Sequence, residues 1–273
     1  MADGLPMTSQ SEPVPPDAQD ALLVCLRIPK SGSESLSLLL QEAFAGRRRF
    51  ILPTTIDLDG RLSRFQRARF KRSQVRNLMK HYGSPSLPNA FMRISAEAKD
   101  GDLIDGGHID FPSVRAGIPR KLKMLTILRD PVERSRSEYN YARLTYLERN
   151  VIRRRTAATM QKIAGTHSFD GFLDFMHDHR AVYGNIASNY IGWDGVEDLA
   201  SLFARDVFFA GQLEHRDRFA RALSDKIGRQ LAFPKTNDTL HKHVLGVSAA
   251  QRSKIEQIYP RDFTLYEWVG RNV

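Results

Sequence analysis

Two polar segments of the sequence each lie between an apolar run and a helical pattern. The first follows the apolar run Ala21–Ile28, and its chemically useful residues are Lys30, Ser31, Gly32, Ser33 and Ser35. A helix N-terminus has unpaired N–H groups and a partial positive charge, so a loop at this point suits a phosphate group. The Walker pattern GxxxxGK[ST] is absent, which disfavours an ATPase or a GTPase. A polar connection with a serine N-cap would explain the segment equally well on its own.

The second segment follows the apolar run Leu122–Leu128. Asp130 is predicted to be a helix N-cap, with Pro131 at the first helical position and Glu133 at the capping-box position. These helix signals do not require Arg129 before the cap or Ser137 two turns into the helix. An arginine there can bind a phosphate through two nitrogens, and a serine hydroxyl adds a donor.

A histidine follows the short apolar pair Leu103-Ile104 and two glycines. His108 would lie where a strand ends, and a histidine that titrates near neutrality suits a general base. A histidine hydrogen-bonded at a strand end is the structural alternative.

The elements that must position these residues are short apolar strands alternating with helices. Such strands are predicted at 21–28, 103–104, 122–128 and 207–211, and helical patterns at 35–44, 151–164, 168–179, 214–227 and 248–258. This alternation predicts an α/β fold with a central parallel β-sheet flanked by helices. Residues 1–20 are rich in Pro, Ser, Asp and Glu and are predicted to be a disordered leader, followed by a single domain at 21–273.

The composition of the chain favours anionic binding partners but does not identify one. The chain has 273 residues and a formal net charge of +10, which favours anionic ligands. Its single cysteine, Cys25, lies in an apolar run and is predicted to be a buried hydrophobic residue. No secretion signal and no apolar stretch of about 18 residues is evident, so a cytoplasmic protein is predicted.

Residues 46–80 carry most of the positive charge. Eleven Lys and Arg residues face two Asp residues, so the segment has a net charge of 11 minus 2, or +9. A solvated helix face is the default interpretation of such a run. We expect Arg64 and Arg72 to contact an acidic acceptor.

Two pairs of histidines, His177/His179 and His241/His243, lack metal-ligand spacing and are predicted to be surface residues. The loop at 233–237 is a candidate nucleotide contact.

The two polar segments together resemble the nucleotide-binding motifs of the sulfotransferases that use 3′-phosphoadenosine 5′-phosphosulfate (PAPS). Residues 28–36 are similar to the family's 5′-phosphosulfate loop. Residues 128–134, with Ser137-Glu138-Tyr139, are similar to its 3′-phosphate motif. Gly107-His108 and Asp110-Phe111 are similar to the histidine segment of the carbohydrate branch related to heparan sulfate 2-O-sulfotransferase and its bacterial relatives.

The resemblance implies a P-loop-like sulfotransferase fold and a metal-independent transfer of a sulfuryl group from PAPS to an acceptor hydroxyl, such as one on a glycan. By resemblance, Lys30 contacts the oxygen that bridges sulfate and 5′-phosphate, and His108 is the general base. Residues at the 5′-phosphate would be Lys30, Ser31, Gly32, Ser33, Glu34 and Ser35. Arg129 and Ser137 would bind the 3′-phosphate.

Two positions depart from the family pattern. Relatives with a His-Gly-His arrangement have a histidine where this chain has Gly106, so Glu97, Asp105 or Asp110 is an alternative base. Glu34 stands where the family has threonine or serine, and a carboxylate there would repel phosphate unless it turns away. The alternative function is a non-catalytic nucleotide- or nucleic-acid-binding protein that uses residues 46–80.

Overall fold

The computed structural model describes residues 20–52, 64–234 and 246–273. The predicted leader therefore lies outside the described residues, except for Asp20. The same holds for His241, His243 and the part of the predicted nucleotide loop from 235 onward.

The fold is built on one five-stranded sheet. Its strands are β1 (Leu22–Leu26), β2 (Arg49–Ile51), β3 (Leu103–Asp105), β4 (Leu122–Leu128) and β5 (Val207–Gln212). They lie in the order β2-β3-β1-β4-β5, and every neighbouring pair is parallel. The predicted α/β fold with a central parallel sheet is confirmed. The sequence analysis did not predict β2.

Fourteen helices are assigned within the described residues. They are α1 (Ser33–Ala43), α2 (Arg64–Tyr82), α3 (Leu87–Glu97), α4 (Phe111–Gly117), α5 (Pro131–Leu147), α6 (Val151–Arg155), α7 (Thr159–Thr166), α8 (Phe169–Asp178), α9 (Arg180–Tyr183), α10 (Ile186–Ile191), α11 (Leu199–Asp206), α12 (Arg216–Ile227), α13 (Ala249–Ile258) and α14 (Pro260–Asn272). The single helix predicted at 151–164 is two helices, α6 and α7, because α6 ends at its C-cap Thr156 and the extended backbone of Ala158 begins α7.

Alternate side chains of β1 enter two different apolar clusters. Leu22, Val24 and Leu26 belong to a cluster with α3, α4, α10, α11 and α14. Leu23 and Cys25 belong to a cluster with α1 and α12 on the opposite face. A strand buried on both faces reads as a continuous apolar run, which is why β1 could be predicted. Cys25 is fully buried, as predicted, and its burial raises the pKa of the thiol well above its usual value.

A third apolar cluster packs α5 against α7, α8 and α13. Beside it, Arg134 of α5 is 1 % exposed and lies over the ring of Tyr259, 4.4 Å from the ring centroid. Its Nη2 is 3.8 Å from Asp262, whose carboxylate accepts hydrogen bonds from the N–H groups of Ala187 and Ser188. These contacts fix α5, α10 and α14 relative to one another.

The parallel arrangement brings the carboxyl ends of all five strands to one edge of the sheet. The chain leaving β1 returns as β2 on one side, whereas the chain leaving β4 returns as β5 on the other. The crevice between the ends of β1 and β4 is therefore the switch point of the sheet, where open α/β folds bind ligands. Among the described residues, no helix is both long and apolar enough to cross a membrane.

Candidate active site

The loop between β1 and α1 has two consecutive features of a phosphate cradle. Gly32 is the N-cap of α1 with φ of 70°, and since it has no side chain, no side-chain cap closes this end of the helix. Ser31 is 1 % exposed, and its Oγ is buried without a hydrogen-bond partner. A buried hydroxyl usually has a partner, so an unpartnered one beside an uncapped helix end indicates a place for a ligand oxygen.

Lys30 occupies an unusual backbone conformation in the same loop. Its φ is 65°, in the left-handed region that residues with a side chain rarely adopt. The ammonium lies over the ring of Tyr141 from α5, 3.7 Å from the ring centroid. Burial lowers the pKa of Lys30, and the negative charges of Glu138 and Glu34 oppose that shift. Glu34 itself is exposed on the first turn of α1.

Arg129 connects the two predicted nucleotide-binding loops. Its Nη1 donates a hydrogen bond of 3.1 Å to the carbonyl oxygen of Lys30. Its Nε is buried without a partner, and its Nη2 is 3.8 Å from Glu133. Burial lowers the pKa of Arg129, while the carboxylates of Glu214 and Glu133 oppose the change. The guanidinium thus reaches across the crevice with donor capacity left for an anion.

The start of α5 is closed by its own side chain. Asp130 Oδ1 accepts from the N–H groups of Val132 and Glu133, at 2.9 and 3.0 Å, so the predicted N-cap is confirmed. Glu133 does not complete a capping box, because its carboxylate pairs with Arg136 and the N–H of Asp130 donates to Glu214 instead. Ser137 lies half-buried on α5, two turns from this end.

His108 lies in the loop after β3 and is anchored to the loop after β1. Its Nδ1 is 2.8 Å from the carbonyl oxygen of Arg27. A carbonyl oxygen can only accept, so Nδ1 carries the hydrogen and the neutral ring keeps a free electron pair on Nε2. Burial lowers the pKa of His108, although its hydrogen bond to Arg27 opposes the shift. The shift favours the neutral form of the ring, the form in which a histidine can accept a proton.

Asp105 joins the elements around His108. Its carboxylate accepts from Ser37 Oγ at 2.7 Å, pairs with Arg49, and lies 3.7 Å from Arg27 Nη1. The N–H of Gly107 also points to it at 3.4 Å. The carboxylate of Asp105 is therefore held by two guanidinium groups, a hydroxyl and a backbone N–H.

The other two carboxylates considered as bases also have structural partners. Glu97 pairs with Arg93 and Arg48 at the surface, and these hydrogen bonds lower its pKa. Asp110 caps α4 by accepting from the N–H and the hydroxyl of Ser113, at 2.8 and 3.0 Å.

Gly106 lies too close to β1 for a side chain to be added without movement. A Cβ built on it would lie 3.1 Å from the carbonyl oxygen of Cys25, to which the N–H of Gly106 also donates. The backbone therefore explains why a single histidine stands in this segment.

The basic surface is described only in part. Arg72 is exposed on α2, whereas Arg64 begins the same helix and its side chain lies outside the described part of the chain. Arg48 and Arg49 do not belong to this helix, because β2 begins at Arg49. Within the described ranges, no group of three His, Cys, Asp or Glu residues is placed to hold a metal ion. His179 is exposed and His177 is half-exposed, in agreement with their predicted surface position.

The structure adds site residues that sequence reasoning missed. Arg27, Tyr141 and Glu214 contact the predicted residues His108, Lys30 and Asp130. Only Arg27 had a signal in the sequence, because it is a cation directly after a buried strand.

The sequence and the fold were compared with those of known proteins. The model of a sulfotransferase family matches residues 17–269. The chain is similar to a sulfotransferase from Alicyclobacillus acidocaldarius, known from its crystal structure, with 15% sequence identity and a TM-score of 0.48. That similarity covers 92% of this chain and 96% of the other. No curated protein matches the sequence significantly.

Proposed function

Because the chain belongs to the sulfotransferase family, we propose that it transfers a sulfuryl group from PAPS to a hydroxyl group of a carbohydrate. The observation that carries this proposal is the hydrogen bond from Arg129 to the carbonyl oxygen of Lys30. It joins the two loops that resemble the 5′- and 3′-phosphate motifs, and it does so at the switch point of the sheet.

The residues present fit a donor with phosphate groups at two positions. Ser31 Oγ offers an unused donor on one side of the crevice, and Arg129 Nε offers another on the other side. In the proposed complex, residues Lys30, Ser31, Gly32, Ser33, Glu34 and Ser35 hold the 5′-phosphosulfate, and Arg129 and Ser137 hold the 3′-phosphate. The carboxylate of Glu34 is exposed, and its negative charge raises the pKa of Lys30 against the effect of burial. When bound, PAPS supplies the sulfuryl group and a leaving group that departs as the S–O bond to its 5′-phosphate breaks.

His108 is the proposed general base. Its Nε2 electron pair accepts the proton of the acceptor hydroxyl as that oxygen attacks sulfur. Support comes from the hydrogen bond that fixes its tautomer and from the burial that lowers its pKa. Asp105 has two arginine partners, Glu97 lies in an ion-pair cluster and Asp110 caps α4, so these carboxylates are already engaged with structural partners.

Lys30 is the proposed stabiliser of the leaving group. Its ammonium is partly desolvated, so its attraction to a developing negative charge is stronger than it would be in water. The contact with the face of Tyr141 holds it at the crevice, since an aromatic face attracts a cation without neutralising it.

The acceptor is proposed to be a carbohydrate, including an acidic one, that contacts Arg64 and Arg72. The exposure of Arg72 and the charge of +9 within residues 46–80 support an anionic partner at this surface.

The decisive experiment is calorimetric titration of the folded protein with 3′-phosphoadenosine 5′-phosphate, the product nucleotide, without added metal. We expect binding that Arg129→Ala abolishes. Arg252→Ala is the matched control, because Arg252 is an exposed arginine of α13 paired only with a neighbouring carboxylate. A folded wild-type protein that gives no binding heat would refute the donor site, and steeply salt-dependent binding of nucleic acid would then favour the alternative function.

A further inference from the structure

The turn that follows β5 touches both loops of the proposed donor site. This turn, Leu213–His215, is a short 3₁₀ helix between β5 and α12. Because β5 lies next to β4 in the sheet, the turn stands beside the loop that carries Arg129 and Asp130. No sequence motif had indicated a role for it.

Leu213 packs directly against the phosphate loop. A Cβ built on Gly32 would lie 2.7 Å from Leu213 Cδ1, so the absence of a side chain at Gly32 lets the turn and the loop meet. Leu213 also packs against the apolar cluster formed by β1, α1 and α12. The Gly32 backbone is therefore supported by a side chain of the turn.

Glu214 binds the other loop through its backbone. Its Oε1 accepts the N–H of Asp130 at 3.3 Å, and its Oε2 accepts the hydroxyl of Tyr266 from α14 at 2.9 Å. The carbonyl oxygen of Tyr266 in turn accepts from the side chain of Gln212 at 3.0 Å. One exposed carboxylate thus connects the loop after β4 to the C-terminal helix.

The contact with Asp130 fixes the residue that presents Arg129. The side chain of Asp130 is already committed to the first turn of α5, so its backbone N–H is the remaining attachment of the loop on this side. If that N–H were released, the peptide between Arg129 and Asp130 could rotate and carry the guanidinium away from the carbonyl oxygen of Lys30.

We propose that Glu214 is a positioning residue that holds the loop of Arg129 and Asp130 in its binding conformation before the donor arrives. It acts through a hydrogen bond to the backbone and does not touch the donor. This proposal depends on the proposed function only in taking PAPS as the ligand. The hydrogen bond from Asp130 to Glu214 is already present in the ligand-free protein.

The test compares Glu214→Ala with Glu214→Gln, whose side-chain carbonyl can still accept the N–H of Asp130. The probe is 3′-phosphoadenosine 5′-phosphate in a calorimetric titration. We expect Glu214→Ala to raise Kd by about tenfold or more, the equivalent of losing one well-placed hydrogen bond. Glu214→Gln should stay within about threefold of wild type. Glu197→Ala is the control, because Glu197 is a half-exposed glutamate that pairs with Arg205 away from the site.

A second readout needs no ligand. Amide hydrogen exchange of the segment 128–134 should be faster in Glu214→Ala than in wild type and unchanged in Glu197→Ala. A Kd for Glu214→Ala within threefold of wild type overturns the proposal, as does a glutamine variant as weak as the alanine variant. If wild type does not bind the nucleotide, the proposed function fails, and unaltered exchange in Glu214→Ala would then refute the positioning role separately.

Discussion

Replacing Lys30 with glycine should leave the protein more stable than replacing it with alanine. Lys30 has a φ of 65°, and a side chain in this left-handed region costs about 1–2 kcal/mol. Both substitutions remove the ammonium and its contact with Tyr141, so the difference between them reports the backbone alone. Glycine loses more conformational freedom on folding, which offsets about 0.5–1 kcal/mol of its advantage. We therefore expect the glycine variant to be more stable by about 0.5–1 kcal/mol.

The measurement is urea-induced unfolding of both variants, analysed with a common m-value. For a chain of this size, the expected difference also corresponds to a shift in Tm of about 1–4 °C. Lys226 provides a matched control with the opposite sign. It also lies over an aromatic ring, 4.8 Å from the centroid of Phe208, but in the last turn of α12. At this helical position, the free energy of unfolding of Lys226→Gly should be lower than that of Lys226→Ala by up to about 1 kcal/mol.

Equal or lower stability of Lys30→Gly relative to Lys30→Ala, with the Lys226 pair behaving as expected, would show that the loop is not strained at this residue. Both Lys30 variants should lose sulfuryl transfer, whichever is the more stable. If both results are obtained, the strained backbone of Lys30 is retained because the activity needs its side chain at this position.

Four further predictions concern the histidine segment and the basic surface. Since burial lowers the pKa of His108, kcat/KM should fall on the acid side only below about pH 6.5, and His108→Ala should remove that limb of the pH profile. The same shift means that the unfolded chain binds the proton more tightly, so this group should make the protein less stable as pH falls below about 6.5, measurable as a drop in Tm. Restoring the second histidine with Gly106→His should destabilise the protein by about 1–3 kcal/mol without raising kcat, because its Cβ would crowd the carbonyl of Cys25; an active, equally stable variant would contradict the geometry. Charge reversal at Arg64 and Arg72 should raise the KM of an acidic acceptor several-fold and leave nucleotide affinity unchanged, whereas equal loss of both would indicate misfolding.

Strands buried on both faces could be located from the sequence, but the short edge strand β2 could not. Every residue of β4 except the half-buried Lys123 is buried, and its predicted bounds Leu122–Leu128 are those observed. In contrast, β2 has three residues, of which only Phe50 is buried, and it follows a run of arginines. Its strand conformation comes from pairing with β3, and no local sequence pattern indicates that pairing.

The same distinction holds for the site. Lys30 and Arg129 stand beside local signals, namely a strand end, a loop with glycine and a helix cap, so their places could be predicted. Glu214 accepts a hydrogen bond from Asp130, 84 positions away. This contact depends on the placement of β5 next to β4, which the sequence does not indicate. Which carboxylates already have structural partners also depends on residues far away in the sequence, as the two arginines around Asp105 illustrate.

The strand order makes completion of the site a late event in folding. In the sheet, Leu22 of β1 pairs with Leu122 of β4, and Met124 of β4 pairs with Val207 of β5. Such distant pairings must close long chain segments before any contact is gained, so they form slowly. A chain still emerging from the ribosome would have Lys30 and Arg129 before Glu214 and Tyr266, whose contacts hold the loop after β4, had been made. Nucleotide should accordingly stabilise the whole protein against unfolding and protect it from proteolysis, because the proposed site combines loops from distant parts of the chain.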